Sequence, residues 1–101
     1  MQTVDQLAHR QCIVDGAALM LIGSPEKGRE LGLKPRARII ATAALGVEPT
    51  IMLTGPAPVA EAALRKAGLS FEAIDPYEVN EASASGVLRF LAETKVPVAK
   101  V

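Results

Sequence analysis

Residues 17–22 (AALMLI) are apolar without a polar interruption, and this stretch constrains the fold more than any other. A strand with one face in water would alternate apolar and polar side chains, so the pattern is typical of a strand covered on both faces. Such strands occur in parallel sheets, where helices cover the two faces. The sequence therefore favours an α/β fold in which helices cover both faces of a parallel sheet.

Turn residues divide the rest of the chain into alternating segments. Ser24 and Pro25 are typical of a helix start and Gly32 of a helix end, which predicts a short helix over residues 26–31. For residues 37–45 the alanines favour a helix and the tandem isoleucines favour a strand, so the pattern allows both. Further elements are predicted as follows: a helix from Pro58 closed by Gly68, a short turn over residues 71–74 capped by Ser70, a strand at residues 77–79, a helix over residues 81–94, and the approach to another strand from residue 96.

Charge and composition exclude several classes of protein. Eleven basic and eleven acidic residues cancel, so no net field would attract nucleic acid or an anionic membrane. The apolar stretches are far shorter than the roughly 20 residues that span a bilayer, and the N-terminus lacks the pattern of a secretory signal. The single cysteine cannot form an internal disulfide. We therefore expect a cytoplasmic protein without nucleic-acid or membrane partners.

His9 and Cys12 are the two residues whose side chains most often perform catalysis or bind metals. His9 is the only histidine, and no cluster of further ligands accompanies it. Cys12 would need a neighbouring base and an electropositive pocket to act as a nucleophile, and the sequence assigns neither. We expect a surface histidine, a structural thiol and no metal site.

Asn80 is the most informative polar residue, because it follows the predicted strand at residues 77–79 and precedes the predicted helix at residues 81–94. In open α/β sheets, ligands bind at the edge where strands end. An amide at that place can aim a hydrogen bond at a reacting group, or it can simply cap the helix that follows. The local sequence leaves both roles open.

Asn80 also lies within a set of six short motifs that follow one another between residues 14 and 101. The motifs are Asp15-Gly16-Ala17-Ala18; residues 30–39 (ELGLKPRARI); Gly46-Val47-Glu48-Pro49; Met52 with Gly55, Pro56 and Pro58; Ala62, Leu64 and Lys66-Ala67-Gly68-Leu69; and Glu78-Val79-Asn80-Glu81-Ala82. In this order and at this spacing they resemble the thiolase family, enzymes that make or cleave 3-ketoacyl-coenzyme A. The resemblance implies a partial thiolase-like layered fold, in which helices pack on a mixed, mainly parallel sheet, with a buried strand at residues 38–42.

The resemblance implies roles for three residues. Asn80 would hold a water that, with a histidine, forms an oxyanion hole for the thioester enolate, and such a donor is worth roughly 3–4 kcal/mol of barrier. Met52 and Ser83 would face the acyl-pantetheine; the alternatives are core packing for Met52 and a hydroxyl in the first helical turn for Ser83. Ser83 stands where the family usually has a phenylalanine, which would widen or polarise the acyl pocket.

The same resemblance implies that this chain carries only part of an enzyme. Residues 1–34 would form the end of the N-terminal domain and its connection, and residues 35–101 the first part of the C-terminal domain. The two catalytic cysteines and the Gly-His-Pro histidine of the family have no counterparts here, and Cys12 is not in their context. Because the reaction needs a thiolate and a histidine base, we expect no turnover from this chain alone.

The sequence therefore predicts a fragment of a thiolase-like acyltransferase that acts on acyl-CoA or 3-ketoacyl-CoA by Claisen condensation or thiolysis. No cofactor would be bound covalently, and a coenzyme A thioester is the substrate of the full-length family. The expected partners are the missing thiolase segments or a second chain, and a homo-oligomer is expected because thiolases form dimers. The alternative is a non-catalytic binding or assembly module that completes the sheet of a partner chain. Either interpretation predicts exposed apolar surface.

Overall fold

The structure, a computed structural model, describes residues 15–101. His9 and Cys12 lie outside the described residues, and so does the beginning of the apolar region that leads to residues 17–22. Within the described range, the elements in chain order are helix α1 (Pro25–Glu30), helix α2 (Pro56–Ala67), a 3-10 helix (Phe71–Ala73), helix α3 (Ala84–Thr94) and a second 3-10 helix (Val98–Lys100).

Helix α1 forms where its terminal residues predict it. The Ser24 hydroxyl accepts a hydrogen bond of 3.2 Å from the Lys27 backbone N–H. Pro25 occupies the first turn, where the lack of an N–H breaks no intrahelical hydrogen bond. Gly32 follows the helix with φ 67, a left-handed conformation that glycine adopts without a steric penalty. The predicted cap and stop are both confirmed, although α1 buries no side chain.

Helix α2 begins at Pro56, two residues before the predicted start at Pro58. Both prolines fit because the first turn of a helix leaves its N–H groups without intrahelical partners. Gly68 closes the helix with φ 67, and its N–H donates to the Arg65 carbonyl at 3.3 Å. The predicted stop at Gly68 is therefore confirmed.

Helix α3 begins at Ala84, three residues later than predicted. Ser83 takes the N-cap position in an extended conformation, and its carbonyl accepts a hydrogen bond from the Gly86 N–H at 3.2 Å. Asn80 and Ser83 are both residue types that are preferred at an N-cap, so the sequence allows either start. The prediction that the helix starts just after Asn80 was wrong, because the structure uses the later cap.

The core lies between α2 and α3, which pack against each other. All three aromatic residues of the chain, Phe71, Tyr77 and Phe90, gather there with ring centroids 5.8–6.5 Å apart. The Tyr77 hydroxyl donates to the Phe71 carbonyl, and the Tyr77 N–H donates to the Lys100 carbonyl at 2.7 Å. The segment from Phe71 to Tyr77 thereby connects α3 to the C-terminal 3-10 helix.

No β-strand forms among residues 15–101. The strands expected at residues 17–22, 38–42 and 77–79 are irregular, and the expected approach to a strand after residue 96 becomes a 3-10 helix instead. A strand requires a neighbour that pairs with its N–H and C=O groups, and an apolar sequence supplies no such neighbour. The mixed, mainly parallel sheet is therefore not present in the described residues and stays a prediction.

The prediction that residues 17–22 and 38–42 are buried was wrong for this structure, because no strand or helix of the described residues covers them. Their exposure agrees with the more general expectation that the chain has exposed apolar surface. Leu19 is 99% exposed and Ile39 is 61% exposed. Within the described part of the chain, no helix has the length and apolar character needed to cross a membrane.

Candidate functional site

Asn80 is exposed and lies in the irregular segment between Tyr77 and the start of α3. Because Ser83 occupies the N-cap of α3, Asn80 does not cap that helix. The interpretation of Asn80 as a cap therefore fails in this structure. Its side chain is not sealed inside apolar packing, so the amide is accessible to a ligand or water.

Ser83 is half-buried at the N-terminal end of α3. Its Oγ lies 2.7 Å from Ser85 Oγ, and either hydroxyl can donate. Ser83 makes no hydrogen bond from its side chain to a backbone N–H of the first turn. Ser83 is thus the N-cap of α3 by position, while its hydroxyl hydrogen-bonds to the Ser85 side chain rather than to a backbone N–H of the helix.

Met52 lies in the connection before α2 and is 61% exposed, so it is not a core residue among the described residues. Its φ is 47, and the φ of the next residue, Leu53, is 54. Residues with a Cβ pay roughly 1–2 kcal/mol each in this left-handed region. Two such residues in succession give this connection a strained backbone, a feature that clusters at functional sites.

The connection that contains Met52 and the start of α3 lie against each other at Gly86. A Cβ placed on Gly86 would lie 3.7 Å from Leu53 Cβ and 4.0 Å from Ser83 Oγ. Ser83 and the immediate neighbour of Met52 therefore share one small region, although they are distant in sequence. Asn80 precedes that region on the same chain segment as Ser83.

Leu53 is the residue of this region that the sequence did not single out. As the last residue of the short apolar run at 51–53, between two turn-rich stretches, it carries no chemical signal. Neither its positive φ nor its contact with Gly86 can be read from the sequence. An amide, a hydroxyl pair and apolar side chains can orient and hold a ligand. They include neither a thiol nor an imidazole, the groups that act as nucleophile and base in thiolate chemistry.

A shallow depression of about 430 Å³ lies between α2, α3 and the connection that precedes α2. It contains the Arg89–Glu93 ion pair of 2.6 Å and Glu48. Hydrogen bonds from the Thr50 hydroxyl and from the backbone of Ile51 and Thr50 lower the pKa of Glu48. Asn80, Met52 and Ser83 do not line this depression. Its lining residues are Val47, Glu48, Thr54, Ala57, Pro58, Glu61, Phe71, Arg89, Glu93 and Thr94.

No group of three or more histidine, cysteine, aspartate or glutamate side chains within residues 15–101 is arranged to hold a metal ion.

Comparison with known proteins identifies relatives over most of the chain. Residues 33–101 match the protein-family model described as Thiolase, C-terminal domain. The 3-ketoacyl-CoA thiolase of Salmonella typhimurium is 55% identical over 74 residues, which are 73% of this chain and 19% of that protein. This chain thus spans about a fifth of the length of the curated relatives that it matches.

Solved structures agree with the sequence match. The acetyl-CoA acetyltransferase of Bacillus anthracis is 42% identical with a TM-score of 0.73, over 77% of this chain and 20% of that chain. The human mitochondrial 3-ketoacyl-CoA thiolase in complex with CoA is 36% identical with a TM-score of 0.71, over 75% of this chain and 19% of that chain. The backbone therefore follows a thiolase-like fold, and the chain belongs to the thiolase family.

Proposed function

We propose that this chain is part of a thiolase-like acyltransferase that acts on acyl-CoA or 3-ketoacyl-CoA thioesters by Claisen condensation or thiolysis. The observation that carries the proposal is the match of residues 33–101 to the thiolase C-terminal domain, because this range includes Met52, Asn80 and Ser83. The CoA bound to the human mitochondrial relative supports a CoA thioester as substrate. No covalently bound cofactor is part of the proposal.

Asn80 is proposed to hold the water that stabilises the enolate oxygen. Its exposure and its position outside α3 support this role, because the amide is not used to cap a helix. Met52 and Ser83 are proposed to contact the acyl-pantetheine portion of the substrate. The contact of Leu53 with Gly86, close to Ser83, supports this assignment because it brings the two chain segments together.

The chain alone is proposed not to turn over substrate. Residues 1–34 are assigned to the end of the N-terminal domain and its connection, and residues 35–101 to the first part of the C-terminal domain; the start of the family match at residue 33 supports this boundary. The remaining thiolase segments, or a partner chain, would supply the thiolates and the histidine. We also propose that the protein forms a homo-oligomer and that it is located in the cytoplasm.

A chimeric enzyme tests this function directly. Residues 33–101 replace the matched segment of the Salmonella typhimurium 3-ketoacyl-CoA thiolase, and thiolysis is measured with a 3-ketoacyl-CoA. We expect an active chimera in which Asn80→Ala lowers kcat about 10²–10³-fold, the loss typical of an oxyanion-hole donor. Asp75→Ala, an exposed side chain nearby, is the control and leaves kcat unchanged. A folded Asn80→Ala chimera with full kcat would contradict the assigned role.

The second candidate is a non-catalytic assembly module that completes the sheet of a partner chain. The exposed apolar residues of the segments at 17–22 and 39–40 favour it, because they lack a covering element among the described residues. Affinity purification of the 101-residue chain from its native cells distinguishes the two. A stoichiometric partner without thiolase activity in the complex would support the assembly module over the acyltransferase.

A further inference from the structure

Leu53 combines two features that are unusual in one residue. Its backbone is held at φ 54, directly after Met52 at φ 47, where a side chain normally disfavours the conformation. Its side chain is also the most covered of three consecutive large apolar residues: Leu53 is 38% exposed, against 64% for Ile51 and 61% for Met52. A strained residue persists only where its surroundings hold it in place.

The surroundings that hold Leu53 belong to the start of α3. Gly86 is buried, and the position of its missing Cβ is 3.7 Å from Leu53 Cβ and 4.0 Å from the Leu53 carbonyl oxygen. The same position is 4.0 Å from Ser83 Oγ. The Leu53 side chain therefore begins within van der Waals reach of Gly86 in the first turn of α3, the same position that the Ser83 hydroxyl approaches.

We infer that Leu53 is a specificity-determining residue that narrows the acyl-binding space, so that this enzyme favours short 3-ketoacyl chains. The inference rests on the proposed function, in which Met52 and Ser83 contact the acyl-pantetheine. Leu53 directly follows Met52 and lies beside the end of α3 that carries Ser83. Its four side-chain carbons occupy volume there that additional methylenes of a longer acyl chain would need.

The test compares a four-carbon with an eight-carbon 3-ketoacyl-CoA in the chimeric thiolase described above. We expect Leu53→Gly and Leu53→Ala to raise the ratio of kcat/KM for the long over the short substrate about tenfold. Such a factor is typical when an apolar pocket gains room for a methylene group of the substrate. Leu53→Phe is expected to lower this ratio. Leu45→Gly, at an exposed leucine in irregular backbone, is the matched control and leaves the ratio unchanged.

The outcomes separate this inference from the proposed function. An active chimera that loses kcat with Asn80→Ala but keeps its ratio in all Leu53 variants overturns the specificity role alone. A ratio that changes equally with Leu45→Gly also overturns it, because the effect is then not local. A folded but inactive unmodified chimera overturns the proposed function, and this inference with it, since no acyl site then exists to be narrowed.

Discussion

Tyr77 stabilises the small core both by ring contacts with Phe71 and Phe90 and by hydrogen bonds to two other parts of the chain. Its hydroxyl donates to the Phe71 carbonyl, and its N–H bonds to Lys100. Desolvation by burial, and next the negative charge of Glu72, raise the pKa of Tyr77 above its ordinary value. The folded chain therefore favours the neutral phenol, which alone can donate this hydrogen bond.

The raised pKa of Tyr77 predicts a loss of stability in alkali. Between the unfolded pKa of about 10 and the higher folded value, the folded state binds more protons than the unfolded state, so the free energy of unfolding falls as pH rises. We expect urea denaturation to show full stability at about pH 8 and a decline above pH 10. Tyr77→Phe should cost about 1 kcal/mol at pH 8, from the lost hydrogen bond, and flatten the alkaline decline. An equally steep decline in Tyr77→Phe would show that another group causes it.

At the scale of elements, two glycines of the helices differ in how they tolerate a side chain. Gly86 lies inside α3 without a positive φ, and a Cβ there would make an ordinary contact of 3.7 Å with Leu53. Gly68 ends α2 at φ 67, where a Cβ is strained although space is open. The two positions therefore test helix propensity and backbone conformation separately.

We expect Gly86→Ala to stabilise the chain by about 0.5–1 kcal/mol, because alanine loses less backbone entropy in a helix. Gly68→Ala should destabilise it by about 1–2 kcal/mol, because it places a Cβ in the left-handed region. Both are measured as changes in the free energy of unfolding by urea. Destabilisation by Gly86→Ala would mean that the Leu53 contact is tighter than the structure indicates.

At the scale of the whole molecule, the chain is more expanded than a compact domain of the same length. Its radius of gyration is 16.6 Å, whereas a compact domain of about 100 residues has about 13 Å. Among residues 15–101, the buried apolar side chains are Ala57, Phe90 and Val96. Most apolar side chains between residues 15 and 55 are exposed, including residues 19–22. Large exposed apolar patches of this kind mark interaction surfaces in soluble proteins.

The exposed apolar surface predicts association. We expect the isolated 101-residue chain to bind an apolar fluorescent dye and to increase in mass with concentration in light scattering. Ile39→Lys, which places a charge on an exposed apolar segment, should reduce both signals. A monodisperse monomer without dye binding over the same concentrations would contradict the exposed surface described here.

The sequence by itself determined the features whose hydrogen bonds and backbone conformations involve only residues a few positions apart in the chain. The Ser24 cap and the stops at Gly32 and Gly68 depend on local chemistry, so they could be predicted. The motifs around Asn80 were predicted by their resemblance to a family instead. Only the tertiary structure decided the later start of α3 at Ala84 and the placement of Leu53 against Gly86. It also left residues 17–22 and 38–42 without strand partners. The physical reason is that helical hydrogen bonds join near neighbours, whereas strand pairing and side-chain contacts require segments that are distant in the chain to meet.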